Sequence, residues 1–224
     1  MSTFAWHCNE IEAQAGLLAD HLDGADLTAA VPSCPDTALR DLSAVAHDDA
    51  GELASALRSA AAELAATLRT TGPDAQMWCP VAGGGSAFYG RRFAHEVAIH
   101  RADAALALDI DVVLPAFLAV DGVEEWLELG CMPFHFDVHP WMRELLGPGR
   151  TIGLHATDTA DDWLLDLTGD ALTWRRGREA ATAELHGPVT DLLLVLYRRV
   201  PPATLDVRGD AALVDFWMDR VAFG

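Results

Sequence analysis

The sequence has 224 residues, and its 34 acidic side chains against 15 basic ones give a formal net charge of −19. All 15 basic residues are arginine, which excludes a lysine Schiff base and the lysine-dependent P-loop. The excess of acid repels phosphate backbones, so nucleic acid is not an expected partner, and the hydrophobic fraction of 51% predicts a folded core.

The composition also bears on where the chain works. No run of about 18 apolar residues predicts a membrane span, and the first residues lack the basic and apolar regions of a signal peptide. Four cysteines, at positions 8, 34, 79 and 131, are far apart and form no C-x-x-C pair. These features favour a cytoplasmic, reduced protein that has no membrane partner.

Helical periodicity dominates residues 1–146. We predict a first helix over residues 3–22, a second from a cap at Asp36 or Thr37 to Leu68, a third over 87–108 and a fourth over 115–129. Four long helices with short links predict an up-and-down four-helix bundle. Asp49 is the one charged residue on the apolar stripe of the predicted second helix, where a buried charge needs an explanation.

The pattern changes after the Gly147-Pro148-Gly149 turn. Four short alternating runs between residues 151 and 185 predict strands, followed by a helix over 188–200, a strand over 205–207 and a helix over 210–221. The predicted fold class is therefore α+β, with a helical-bundle domain over residues 1–146 and a small α+β domain over residues 147–224.

The third predicted helix carries the most informative segment. Glu96 and His100 are four residues apart, so they project from one helix face and are able to share a metal ion. Asp103 follows one turn later and is placed to accept the proton on the other ring nitrogen of His100. Arg92, four residues before Glu96, favours a different interpretation, in which this face is solvated and held by ion pairs.

Several segments in order resemble the mycothiol-dependent maleylpyruvate isomerase family, a branch of the DinB-like four-helix-bundle superfamily. Residues 91–104 are similar to its R-R-x-A-H-E-x-x-x-H-R-x-D-A signature, and residues 31–42 to its V-P-x-C-P entrance to the second helix. Residues 121–127, 155–158 and 187–199 are similar to its later motifs. The resemblance implies a DinB-like bundle and an isomerase or thiol transferase that uses mycothiol.

The resemblance also implies a divalent metal, usually zinc, bound by a histidine of the second helix together with Glu96 and His100. The first of these ligands falls at Val45 here, in the stretch Asp41-Leu-Ser-Ala-Val45, and valine offers no donor atom. This departure makes a metal-free site the alternative. Asp49 is a candidate replacement ligand or acid–base group, His7 is a further candidate, and His47 is expected to point away from the bundle centre.

Arg199 ends the apolar helix of the C-terminal domain and matches an arginine of the family's L-x-x-R motif. Its planar guanidinium is suited to binding a substrate carboxylate through two hydrogen bonds. The alternative is that this charge only complements the dipole at the helix end.

Three functions remain open from the sequence. The first is isomerisation or thiol transfer on a small unsaturated carboxylic or carbonyl substrate in the bundle cavity. The second is metal-free acid–base isomerisation or cyclisation of a specialised metabolite, with Glu96, His100 and Asp49 as acid–base groups. The third is a non-catalytic ligand-binding protein on the same scaffold. All three have a small molecule as the partner, and the sequence specifies no oligomeric state.

Overall fold

The computed structural model describes residues 3–43, 47–81 and 83–222, so Val45 lies outside the described residues. The chain divides into two compact units, residues 1–112 and 113–224. This division precedes the sequence-based boundary after residue 146, because the fourth predicted helix packs within the second unit. The α+β class is confirmed by the observed helices and sheet, whereas a four-helix bundle is not.

Three long helices and a hairpin build the first unit. They are α1 (Thr3–Leu22), α2 (Ala50–Thr71) and α3 (Ser86–Ala107), with the strands β1 (Ala30–Val31) and β2 (Cys34–Ala38) between α1 and α2. The helix α1 packs against both α2 and α3. Its buried Ile11, Ala15 and Leu18 recur at three- and four-residue steps, which gives one apolar helix face.

The second helix begins about thirteen residues later than the sequence predicts. Before it, residues Leu39–Leu42 form a short 3-10 helix. The backbone N–H of Leu39 donates to Ala29 at 3.0 Å, and that of Ala38 to the Asp41 carboxylate at 2.8 Å. These bonds satisfy groups that a continuous helix would otherwise use. Leu39 and Leu42 are still buried, so the apolar repeat reported burial correctly but not helicity.

The glycine-rich connector ends where α3 begins. Gly85 has φ of +121°, and a Cβ there would lie 2.5 Å from the carbonyl oxygen of Ala75. That carbonyl accepts the backbone N–H of Ser86 at 3.1 Å. Glycine is therefore required for both backbone conformation and close approach, and it fixes the first residue of α3.

The second unit contains four α-helices among its described residues: α4 (Ala116–Gly130), α5 (His135–Val138), α6 (Val189–Leu196) and α7 (Ala211–Arg220). Apolar residues occupy most sides of α4, including the buried Leu118, Val123 and Leu127. Such a helix needs cover on more than one side. It packs against α6, and Trp126 meets Trp217 of α7 edge-on at 5.7 Å.

A five-stranded mixed sheet completes the second unit. Its strands are β3 (Thr151–Ala156), β4 (Asp162–Asp166), β5 (Thr173–Arg176), β6 (Ala183–Gly187) and β7 (Asp206–Gly209), in the order β5-β4-β3-β6-β7. Only the β3–β6 pair is parallel. The carboxylate of Asp158 accepts the backbone N–H of Val189 at 2.8 Å, at the start of α6. Over the described part of the chain, none of the helices has the length and apolarity to span a membrane.

Candidate active site

The acidic and basic residues of the α3 signature share one face of that helix, as their spacing predicts. The Glu96 carboxylate lies 3.7 Å from Nε2 of His100, one turn away. On its other side, Glu96 forms an ion pair and hydrogen bond with Arg92. The side chains of Glu96 and His100 are each 39% exposed, so this pair is accessible to solvent.

His100 lies in the wall of a cavity of about 270 Å³ between the three helices of the first unit. Among the described residues that line it, only Ser43 and His100 are polar. The apolar lining comes from all three helices and includes Ile11, Ala15, Leu18, Leu57, Leu64 and Val97. The cavity therefore joins a surface suited to hydrocarbon with one imidazole able to move a proton.

A buried carboxylate lies on the far side of the imidazole. Asp103 is only 2% exposed, and its Oδ2 lies 3.5 Å from Nδ1 of His100. Its Oδ1 accepts a hydrogen bond from the Ser33 hydroxyl at 3.3 Å. Ser33 lies in the turn between β1 and β2, so the V-P-x-C-P segment brings a hydroxyl to the buried carboxylate. A carboxylate at Nδ1 favours a proton on that nitrogen and leaves Nε2 to accept one.

Arg101, next to His100 in the chain, has a structural position. It is buried and donates to Oε1 of Gln14 on α1 at 2.7 Å, and Gln14 in turn donates to Glu10 at 3.0 Å. Burial lowers the pKa of the Arg101 guanidinium. Burial, followed by the positive charge of Arg101, also lowers the pKa of His21 near the end of α1. This arginine therefore ties α3 to α1 behind the cavity wall.

The donors around Glu96 and His100 do not fit a catalytic zinc ion. Such a site uses three protein ligands and an open position. Here the pair has two, and Arg92 already neutralises the carboxylate. Within residues 3–43, 47–81 and 83–222, no third His, Cys, Asp or Glu side chain completes a ligand group with this pair. Position 45, where the family resemblance implies that ligand, is a valine.

Asp49 and His47 lie elsewhere in the first unit. Asp49 is the N-cap of α2, and its carboxylate accepts the backbone N–H of Glu52 at 2.9 Å. It is therefore at a helix start, not on a helical apolar stripe as the sequence predicts, because α2 begins after it. His47 lies 3.6 Å from Glu52. Both line a second, polar cavity of about 280 Å³, whose lining does not include His100.

His7 contacts a different residue of α3, and Arg199 belongs to the second unit. The buried His7 ring contacts that of His95 with centroids 6.1 Å apart, and His95 is five residues from His100. Arg199 lies in the second unit just after α6, where its guanidinium donates to the carbonyl of Tyr197 at 2.8 Å. The role of Arg199 as a substrate carboxylate ligand stays a prediction.

The sequence patterns did not predict one polar cluster of the second unit. His155, Glu184 and His186 bring ligand-type atoms within 4.8 Å of one another on the sheet of the second unit. The alternation Glu184-Leu-His186 was the available signal, since residues two apart in a strand share a face. The strand partner that supplies His155 depends on sheet register, which single-sequence patterning does not reveal.

Comparison with protein families tests the resemblance drawn from the motifs. Residues 39–105 match the family model described as the mycothiol maleylpyruvate isomerase N-terminal domain. The matched segment contains α2 and the Glu96, His100 and Asp103 positions of α3. Comparison with curated proteins returned no match. The match supports the family resemblance drawn from the motifs over residues 39–105, which are similar to the mycothiol maleylpyruvate isomerase N-terminal domain.

Proposed function

We propose that this protein is an enzyme that isomerises a small unsaturated carboxylic or carbonyl compound by acid–base catalysis in the α1–α2–α3 cavity. The observation that supports this proposal is the position of His100. It lines the cavity and lies between two carboxylates, those of Glu96 and Asp103. An imidazole so placed is able to accept and to donate a proton.

The chemistry assigned to His100 is a proton transfer that allows a conjugated double bond to rotate. Nε2 of the protonated His100 ring donates a proton to the carbonyl oxygen conjugated with the double bond, and the π electrons shift toward that carbonyl, so that the C=C bond becomes a single bond. After rotation about this bond the electrons return, and the O–H proton goes back to Nε2 of His100. Atoms and charge balance over the cycle, and no other reactant is consumed.

Two carboxylates have different parts in this scheme. Asp103 is a positioning residue, because its buried oxygen faces Nδ1 and holds the ring with Nε2 available. Glu96 is half-exposed and stabilises the imidazolium that forms when His100 takes up a proton. Arg92 forms an ion pair with the Glu96 carboxylate and keeps it in place.

Mycothiol is the thiol that the family description names, and it supplies a nucleophilic sulfur when bound. A polar thiol of this kind requires hydrogen-bonding groups, whereas Ser43 and His100 are the polar members of the described cavity lining. The cavity lining fits a small substrate with an apolar body better than it fits mycothiol, and the proposed reaction does not use the thiol.

The test uses maleylpyruvate as the probe substrate, with its isomerisation followed by ultraviolet absorbance. Untagged protein is assayed with and without mycothiol, before and after treatment with a chelator. We expect turnover that survives chelation, needs no mycothiol, and falls at least about 100-fold in His100→Gln. His47→Gln, in the separate polar cavity, is the matched control and should retain wild-type turnover within about threefold. A strict requirement for added zinc, or full activity in His100→Gln, contradicts the proposal.

A further inference from the structure

The sheet of the second unit carries a second histidine–carboxylate cluster that the proposed acid–base chemistry does not use. His155 lies on the central strand β3, opposite Asp162 of β4 and opposite His186 of β6. Glu184 is two residues before His186 and therefore on the same face of β6. Register alone brings two imidazoles and two carboxylates to one face across three neighbouring strands.

The two nitrogens of His155 have different surroundings. Nδ1 lies 2.6 Å from Oδ1 of Asp162, within hydrogen-bond distance. Nε2 is buried without a hydrogen-bond partner, and the side chain is only 2% exposed. A neutral ring that donates from Nδ1 to a carboxylate has its lone pair on Nε2, which is the state that binds a metal ion.

The other two members lie beside the His155 ring. Oε1 of Glu184 lies 4.0 Å from Nε2 of His155, and Oε2 of Glu184 lies 3.0 Å from Nε2 of His186. The two imidazole centroids are 4.5 Å apart. All three residues thus offer a ligand atom within 4.8 Å of the others, so small side-chain rotations suffice to place one ion between them.

Backbone and charge around the cluster are consistent with a cation. A Cβ at Gly153 would lie 2.7 Å from Nε2 of His155, so glycine on the same strand leaves the ring its position. Asp162 adds a second negative charge that Arg178 approaches at 3.5 Å.

From this geometry we propose that His155, Glu184 and His186 bind one divalent transition-metal ion, such as zinc. Asp162 orients His155 through Nδ1. Two imidazoles and one carboxylate leave the fourth position of a tetrahedral ion open to water or to an anionic ligand. The site lies in the second unit, outside the residues 39–105 that match the family domain, and is independent of the proposed chemistry at His100.

The test titrates the untagged full chain, freed of metal by chelation, with Co²⁺ and then with Zn²⁺ as competitor. The absorption of bound Co²⁺ reports coordination geometry and stoichiometry. We expect one equivalent to bind with tetrahedral absorption. Glu184→Gln, His186→Gln and His155→Gln should each lower affinity at least about tenfold, as should Asp162→Asn through the orienting bond. Gly153→Ala should lower affinity as well, because its methyl group displaces the His155 ring.

Controls separate this site from the other histidines of the chain. His100→Gln and His7→Gln should bind Co²⁺ within about threefold of wild type, since neither is in the cluster. Circular dichroism establishes that each variant is folded, and the half-buried Glu184 provides a ligand variant with little packing to lose. Less than a tenth of an equivalent bound by folded wild type, or wild-type affinity in folded Glu184→Gln and His186→Gln, overturns the proposal.

Discussion

The Asp103 carboxylate lies 3.5 Å from Nδ1 of His100 and is itself buried, while the opposite edge of the same imidazole lies 3.7 Å from Glu96. A cavity histidine is thus held between a buried carboxylate and a half-exposed one. This arrangement resembles the orienting logic of nucleophile–base–acid triads, in which a carboxylate fixes the tautomer of the base. The first prediction follows from it.

Asp103→Asn should lower turnover of maleylpyruvate at least about 100-fold, because the amide no longer favours the proton on Nδ1 of His100. The pH–rate profile should also shift, since the charge beside the imidazole is removed. Ser33→Ala is the milder comparison, because it removes one hydrogen bond but leaves the Asp103 charge. An unchanged profile in folded Asp103→Asn would mean that this carboxylate has only a structural role.

Filling the cavity should weaken substrate binding without unfolding the protein. Ala60 lines the cavity from α2 and is itself exposed, so Ala60→Leu adds bulk at the opening with little overpacking. We expect a rise in KM of at least about tenfold, since an apolar substrate loses its space. Ala62→Leu, exposed on the same helix and outside the cavity lining, is the matched control. Equal kinetics in the two variants would place the active site elsewhere.

Asp49 should matter for stability more than for chemistry. Asp49→Ala removes the side-chain acceptor at the start of α2 and should cost about 1 kcal/mol in the free energy of unfolding. Asp49→Asn keeps an acceptor and should recover most of that loss. Urea unfolding measures both, with Asp48→Ala as the neighbouring control. A large loss of turnover in Asp49→Asn at wild-type stability would instead assign Asp49 a catalytic part.

The lowered pKa of His21 predicts how the free energy of unfolding depends on pH. Burial and the Arg101 charge lower its pKa in the folded protein, whereas the unfolded chain has a value of about 6.5. The unfolded chain therefore binds the proton at a higher pH than the folded protein does. The stability that neutral His21 contributes is lost as pH falls below about 6.5 toward the folded pKa. His21→Gln should remove it, so the stability difference between wild type and variant should shrink from pH 7.5 to pH 5. A difference independent of pH would contradict the assignment.

Burial should also make the thiol of Cys131 unreactive. Desolvation raises the pKa of Cys131 to about 12, so very little of this thiol is ionised at pH 8. The exposed Cys34 should react with iodoacetamide much faster in the folded protein. Mass spectrometry of peptides after brief labelling measures both sites. Rapid labelling of Cys131 in folded protein would mean that its thiol is open to solvent.

The sequence predicted those features that depend on residues near one another in the chain. The Glu96–His100–Asp103 face follows from helix periodicity alone, and the structure has those contacts. The predicted start of α2 was wrong because the backbone N–H of Leu39 donates to the carbonyl of Ala29, a contact that periodicity does not encode. Asp49 was consequently expected on a buried stripe and is found at a helix cap.

The sheet cluster and the division of the chain depend on longer-range pairing. His155 and His186 are neighbours only because β3 and β6 pair in parallel, with β4 and β5 between them in the chain. The helix α4 has the periodicity of a bundle helix, yet it packs against α6 from near the end of the chain. Hydrophobic pattern specifies that such a face is buried but not which element covers it.

In the proposed reaction, His100 moves protons in the cavity without a metal ion at Glu96. The most direct measurement is the turnover of maleylpyruvate by chelator-treated wild type and His100→Gln, side by side and without mycothiol. We expect an active wild type, within about threefold of untreated protein, and a variant at least about 100-fold slower. Activity that vanishes on chelation and returns with zinc in wild type, or equal rates in the two proteins, would contradict it.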